Sequence, residues 1–144
     1  MMTPSYIIIH TAGAKIAASI EDVNRWHKKR GFRRKGTHDL QYIGYQYYIR
    51  RDGTVQRGRD ETEVGAQCKD MGMNRKSIGI CFEGHGDFEE FTKAQRKSLN
   101  LLYQQIDARW GIPVENVLGH RETGAKKTCP GTKVDMHELR SSLS

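Results

Sequence analysis

The chain has 144 residues, with 24 lysines and arginines against 17 aspartates and glutamates, and its formal net charge is +7. This length suits a single domain over residues 1–144 and leaves no room for a second module. Hydrophobic residues make up 36% of the chain, but no apolar run is long enough to span a membrane. The basic residues form short scattered clusters without a nucleic-acid-binding motif, so we expect no nucleic acid partner.

The N-terminal residues lack the positively charged segment and the long apolar segment of a secretory signal peptide. The three cysteines, Cys68, Cys81 and Cys129, are odd in number and widely spaced, which argues against a disulfide framework. A reducing compartment fits this pattern. We therefore expect a monomer that is made in a cytoplasm without a signal peptide.

The first predicted elements are a strand and a helix. The apolar, β-branched run Tyr6–Ile9 predicts a strand that is buried on both faces. Ser19 and Asp22 form a capping signature for the helix, and Gly31 ends it. The apolar positions of this helix predict that it covers the sheet.

A hairpin is predicted next, after an irregular polar loop over residues 32–41. The alternating pattern of Tyr42–Arg50 predicts a strand. One of its faces would carry Ile43, Tyr45, Tyr47 and Ile49. Asp52 and Gly53 are typical of a two-residue hairpin turn, after which Thr54–Gly58 returns as the partner strand.

The second half of the chain continues to alternate between strands and helices. Ser77–Phe82 predicts a strand, and the longest helix begins after Thr92 and stops at Gly111. Val117–His120 predicts a short strand, and Val134–Leu139 a terminal helical turn. This interleaving predicts an α/β fold with a single mixed central β-sheet covered by helices.

Three side chains form a candidate metal site. His10 and His120 follow short apolar strands, and Cys129 lies in a loop marked by Pro and Gly. Two imidazoles and a thiolate suit zinc, and they leave the fourth tetrahedral position for water, as in a catalytic site. Because no local zinc spacing links these residues, the alternative that each histidine is a hydrogen-bonded loop residue stays open.

Five separated motifs occur in the order in which they stand in a known family. They are Val23–Lys28; Ile43–Tyr45; Arg51–Val55 with Gly58–Asp60; Ser77–Cys81; and Gly119–Arg121 with Lys127–Pro130. Through them the chain resembles the zinc-dependent N-acetylmuramoyl-L-alanine amidases from about Ile7 to Leu139. It is most similar to the short single-domain lysozymes of podophages, and the peptidoglycan recognition proteins are related.

The resemblance implies roles for five residues. His10, His120 and Cys129 would hold one catalytic Zn²⁺. Tyr45 would orient the nucleophilic water or hydrogen-bond the reacting centre, and Lys127 would stabilise the oxyanion as a fixed cation. Without the resemblance, Tyr45 would be interpreted as an inward-facing strand aromatic and Lys127 as a solvated loop lysine.

Gln67 departs from the family pattern, because close phage relatives often carry a histidine there. A glutamine can hydrogen-bond a substrate but cannot transfer a proton near neutral pH. Protonation of the leaving group would then fall to zinc-bound water or to another group.

The remaining histidines and cysteines are weaker candidates. We expect Cys81 to be a small buried hydrophobe and His27 to pack or to form a hydrogen bond. Cys68 is either a free reactive thiol or incidental. Weak candidates for substrate contact are His38, Asp39 and His85.

The implied activity is hydrolysis of the amide bond between N-acetylmuramic acid and L-alanine in peptidoglycan. We predict a phage endolysin that acts on periplasmic peptidoglycan after its release from the host cytoplasm. Two alternatives stay open: a cytoplasmic amidase that recycles anhydromuropeptides, and a non-catalytic peptidoglycan-binding module. Some podophage relatives also bind their phage RNA polymerase, and no motif of this chain tests that partner.

Overall fold

A computed structural model describes residues 1–144 and contains one mixed five-stranded sheet. The strands are β1 (Tyr6–Thr11), β2 (Tyr47–Ile49), β3 (Val55–Arg57), β4 (Ser77–Phe82) and β5 (Val117–Gly119). The helices are α1 (Ile20–Lys29), α2 (Lys93–Trp110) and α3 (Met136–Ser141). The strand order is β3-β2-β4-β1-β5, with β2 and β3 antiparallel and the other pairs parallel. The predicted α/β fold with a mixed sheet covered by helices is confirmed.

Helices and loops cover the two faces of the sheet, and β1 contributes to both layers. Ile7 and Ile9 belong to the main core of 17 buried residues, which includes apolar side chains of α2 and α3. Ile8 belongs to a smaller cluster on the opposite face, and His10 shares that face because strand side chains alternate. The functional side chains of β1 therefore point away from the main core.

The helix α1 begins as the sequence predicts. The Ser19 hydroxyl accepts a hydrogen bond from the Asp22 amide at 3.1 Å, and the Asp22 carboxylate accepts one from the Ser19 amide at 2.9 Å. Ile20 and Val23 are buried in one cluster with Cys81 of β4. The predictions that α1 covers the sheet and that Cys81 is buried are confirmed.

The helix α2 also has the predicted ends. Thr92 caps it through a 3.0 Å hydrogen bond from the Gln95 amide. Gly111 follows with a φ of 65°, a left-handed conformation that glycine adopts without strain. None of the three α-helices combines the length and the apolar composition needed to cross a membrane.

The predicted strand Tyr42–Arg50 is wrong in its first half, because only β2 is a regular strand. Two polar side chains of α1 bind the backbone ahead of it. Nδ1 of His27 accepts a hydrogen bond from the Gly44 amide at 2.8 Å, and Oδ1 of Asn24 accepts from the two preceding amides at 2.8 and 2.9 Å. These bonds replace the regular sheet pairing that alternation predicts.

The irregular segment before β2 changes which side chains share a face. Ile43 and Tyr45 pack on the α1 side of the sheet, whereas Tyr47 and Ile49 belong to the main core. The expectation that all four share one face is therefore wrong. As a result, Tyr45 is directed to the same face as His10.

Two further differences concern short helices. The terminal helix begins at Met136 and not at Val134, because the Asp135 carboxylate caps it by accepting a 3.0 Å bond from the Glu138 amide. The sequence also gives no signal for the 3₁₀ turns of Asp70–Arg75, which cover the face of the sheet that carries His10. The Met71 backbone is left-handed there, with a φ of 55°.

Candidate active site

Parallel pairing of β1 with β5 brings two histidines together. Ile9 pairs with Gly119, so His10 and His120 follow paired positions at the same edge of the sheet. Their ring centroids lie 4.8 Å apart, and both side chains are buried. Residues that are 110 positions apart in sequence therefore meet because the strand ends meet.

The loop that carries Cys129 is held against β1 and the turn after β5. The Thr11 hydroxyl donates to the Pro130 carbonyl at 2.9 Å, and the Arg121 amide donates to the Cys129 carbonyl at 2.8 Å. These contacts place the Cys129 Sγ 3.6 Å from Nδ1 of His10.

This donor set fits one zinc ion. One ligand atom from each of His10, His120 and Cys129 lies within 4.8 Å of the other two. Ligands of a tetrahedral zinc ion, with bonds of about 2.0–2.1 Å to nitrogen and 2.3 Å to sulfur, are separated by roughly 3.5 Å. The observed 3.6 Å between nitrogen and sulfur matches this separation.

Burial tunes the protonation of these groups. It lowers the pKa of His10 to about 3, with a further contribution from His120, and it also lowers the pKa of His120. Both imidazoles are thus neutral, as a metal ligand must be. Burial raises the pKa of Cys129 to about 11, although the Thr11 backbone and Lys127 oppose the shift. A bound cation would stabilise the thiolate against this cost.

The three groups lie in a cleft of about 620 Å³ that also contains Tyr45 and Lys127. The Tyr45 ring centroid is 5.0 Å from that of His10. Burial raises the pKa of Tyr45 well above its usual value, so its hydroxyl keeps its proton. Lys127 is exposed at the rim. The structure therefore brings together all five side chains that the resemblance selects.

The rim of the cleft is strongly basic, which the sequence analysis missed. The cations Arg30, Lys69 and Lys126 line it together with Lys127, and Asp70 is the one acidic residue of the lining. These residues come from the end of α1 and from two separate loops, so no local sequence signal could group them.

The other histidines are not part of the metal site. His27 forms the predicted hydrogen bond, to Gly44, and its ring packs against Tyr45 with centroids 5.0 Å apart. The weak candidates for substrate contact, His38, Asp39 and His85, do not line the cleft. His85 instead packs edge-on against Phe88.

Cys68 is among the residues that line the cleft, although it is almost completely buried. Its Sγ is 3.4 Å from the Thr123 hydroxyl. Together with Asp70 and His120 it forms a second group of potential ligand atoms within 4.8 Å of one another. Oδ2 of Asp70 lies 3.4 Å from Nε2 of His120. This group shares His120 with the first group, so the two groups are adjacent.

Gln67 contacts His10 directly, which the sequence analysis did not predict. Its side-chain oxygen lies against Nε2 of His10, on the other side of the ring from Cys129. The only sequence signal at this position is the departure from the histidine of close phage relatives.

Comparisons with known proteins identify relatives of this chain. The N-acetylmuramoyl-L-alanine amidase family matches residues 1–132. The endolysin of Escherichia phage T7 is 35% identical over 131 residues, which cover 86% of this chain and 78% of that protein. Peptidoglycan-recognition protein SC2 of Drosophila melanogaster is 32% identical over 145 residues, covering 95% of this chain and 73% of that protein.

A solved structure shows the same fold. The N-acetylmuramoyl-L-alanine amidase LysC from Clostridium intestinale superposes with a TM-score of 0.84 at 28% identity, covering 97% of this chain and 85% of that one. The family match spans most of the sequence, and three of the five ordered motifs contribute residues to the cleft. The chain therefore belongs to the N-acetylmuramoyl-L-alanine amidase family.

Proposed function

We propose that this chain hydrolyses the amide bond between N-acetylmuramic acid and L-alanine in peptidoglycan, with one Zn²⁺ held by His10, His120 and Cys129. The observation that carries the proposal is the 3.6 Å approach of His10 Nδ1 to Cys129 Sγ, beside His120, at the base of the cleft. Family membership and the endolysin relatives support the reaction. Residues 1–144 would act as one catalytic domain.

The side chains around the cleft have distinct tasks. Zinc, when bound, polarises a carbonyl and activates a water molecule for attack. Tyr45 lines the same cleft and its hydroxyl keeps its proton, so it can donate a hydrogen bond to the carbonyl oxygen as negative charge develops there. Lys127 adds a positive charge at the rim, where it stabilises the same oxyanion.

The leaving amine must receive a proton, and two side chains that line the cleft cannot donate it. Gln67 has no titratable proton. Burial, together with Arg30 and Arg59, lowers the pKa of His27 to about 4, and its Nδ1 is occupied by the Gly44 amide. Neither group can therefore supply the proton. The attacking water bonds to the carbonyl carbon, the carbon–nitrogen bond breaks, and the amine takes the proton that this water releases.

The biological setting that we propose is lysis of the host cell at the end of a phage infection. The relatives from Escherichia phage T7 and Enterobacteria phage T3 are endolysins, at 35% and 34% identity. The protein would be made in the host cytoplasm and would reach periplasmic peptidoglycan after release. The basic rim suits the carboxylates of the peptide stem.

Digestion of purified sacculi tests the reaction. We expect new L-alanine amino termini without new reducing sugar ends. Activity should disappear after chelation, return with added zinc and be lost in Cys129→Ser. New reducing ends would indicate a glycosidase. Full activity of both the chelated protein and Cys129→Ser would contradict the proposed zinc chemistry.

A comparison of substrates tests the setting. An endolysin is expected to digest intact sacculi efficiently. Strong preference for soluble anhydromuropeptides would instead favour a recycling amidase. Tight binding of muropeptides without zinc and without cleavage would favour a recognition module.

A further inference from the structure

The environment of the His10 imidazole is specific on both of its nitrogens. Nδ1 faces the Cys129 Sγ at 3.6 Å, and Nε2 faces the side-chain oxygen of Gln67. In a neutral imidazole one nitrogen carries the proton and the other a lone pair. Which of the two is free to bind a metal is therefore decided by the partner of Nε2.

Hydrogen bonding fixes the orientation of the Gln67 amide. Its Nε2 donates to the Ser77 hydroxyl at 2.9 Å, and that hydroxyl donates to the Met73 carbonyl at 2.7 Å. A carbonyl only accepts, so the Ser77 proton points to Met73 and the Ser77 oxygen must accept from the amide nitrogen. The Gln67 oxygen is consequently the atom that faces His10.

The path of the Gln67 side chain is built into its surroundings. Oδ1 of Asn74 accepts hydrogen bonds from the backbone amides of Gln67 and Cys68, both at 2.8 Å. The side chain then passes directly over Gly79 of β4. A Cβ at Gly79 would lie 2.7 Å from both Cγ and Cδ of Gln67, which is too close for any side chain. Because Gly79 has no side chain, β4 leaves room for the side chain of Gln67 at this position.

We infer that Gln67 is a positioning residue for the metal site, one that acts through His10. Its oxygen accepts the proton of Nε2, which keeps the lone pair on Nδ1, directed at Cys129. The chain of contacts runs from His10 through Gln67 and Ser77 to the Met73 carbonyl. In this role Gln67 orients the His10 imidazole and does not transfer a proton. The inference rests on the zinc site of the proposed function.

A measurement of zinc affinity tests the positioning role of Gln67 independently of catalysis. Gln67→Met keeps an unbranched side chain of similar size but removes the acceptor. We expect its zinc affinity, measured on the full chain by competition with a chromophoric chelator, to fall about 10- to 100-fold. Gln67→Glu keeps an acceptor for the same proton and should stay close to the unsubstituted protein. Gln105→Met, at an exposed position of α2, is the matched control and should change nothing.

The tautomer of His10 is a second measurement. It would not change if Gln67 had only a structural role. In the metal-free protein, long-range ¹H–¹⁵N correlations should show the His10 proton on Nε2. In Gln67→Met they should show a mixture of the two tautomers. Gln67→Ala removes the same acceptor without adding bulk, so it supplies both measurements if the methionine variant does not fold.

Two results would overturn the inference: zinc affinity unchanged in Gln67→Met and Gln67→Ala, or an equal loss in Gln67→Glu. The proposed function fails separately. If the unsubstituted protein itself does not bind zinc, the metal site is wrong. If it binds zinc and the variants bind it equally well, only the role of Gln67 is wrong.

Discussion

The ring of Tyr45 packs between the rings of His10 and His27. Its ring centroid lies 5.0 Å from that of His10 and 5.0 Å from that of His27, and all three residues line the cleft. Because His27 also binds the Gly44 amide, it fixes the backbone from which Tyr45 projects. The motif suggested Tyr45 as a site residue, but its direction depends on this contact with α1.

Replacing Tyr45 with phenylalanine tests its proposed hydrogen bond. The ring and its packing remain, and only the hydroxyl donor is lost. We expect amide hydrolysis to fall by about 10²- to 10³-fold, the usual effect of removing one oxyanion donor, with zinc affinity unchanged. Tyr42→Phe, at the half-buried start of the same segment, serves as the control in a kinetic assay on muropeptides. Full activity of Tyr45→Phe would exclude the hydroxyl from catalysis.

At the scale of elements, Glu61 connects the end of α2 to the strand β2. Its buried carboxylate accepts hydrogen bonds from the Arg109 guanidinium at 2.8 Å, from the Trp110 indole at 2.9 Å and from the Tyr47 hydroxyl. Burial alone would raise the pKa of Glu61. The hydrogen bonds outweigh burial and lower this pKa from 4.5 to about 2.

This shift predicts a pH-dependent contribution to stability. Because the pKa of Glu61 is lower in the folded state, the contribution is complete above pH 4.5 and is lost as the pH falls towards about 2. Allowing for the exposure of Arg109, Glu61→Gln should lower the free energy of unfolding by about 2 kcal/mol at pH 7.

Urea unfolding at several pH values measures this contribution. The difference between Glu61→Gln and the unsubstituted protein should shrink between pH 4.5 and 2. The exposed Glu90→Gln is the control. A difference that does not depend on pH would show that the ionised carboxylate is not its source.

At the scale of the whole molecule, the structure shows where part of the net charge of +7 is concentrated. Arg30, Lys69, Lys126 and Lys127 all line the cleft, where Asp70 is the one acidic residue. Part of the positive field therefore surrounds the proposed reaction site. Such a field attracts carboxylate-bearing peptide stems, and salt screens it, with a Debye length of about 8 Å at physiological ionic strength.

The salt dependence of activity tests whether this local charge matters. Hydrolysis of sacculi should slow as ionic strength rises. Lys126→Gln should lower kcat/KM at low salt roughly two- to fivefold and flatten the salt dependence. Lys97→Gln carries the same charge change on the exposed side of α2 and should have little effect. Equal effects of the two variants would assign the attraction to the net charge, and no salt dependence would make the charge incidental.

The sequence by itself determined the features that depend on near neighbours. The caps at Ser19 and Thr92 and the buried strand β4 all follow from residues within a few positions of one another. The prediction of a two-residue turn at Asp52 and Gly53 is wrong in length, because Ile49 pairs with Val55 and the Arg50 amide donates to the Thr54 carbonyl, which leaves a three-residue loop. The ordered motifs also identified the family. These signals are reliable because the hydrogen bonds and φ angles behind them are local.

Only the tertiary structure decided how distant segments meet. The contact of Gln67 with His10 spans 57 residues, and the binding of Gly44 by His27 diverts a segment that alternation assigns to a strand. The basic rim likewise joins α1 to two loops. Such contacts depend on the path of the whole chain, because a side chain binds whichever partner the packing of the sheet and helices brings within reach.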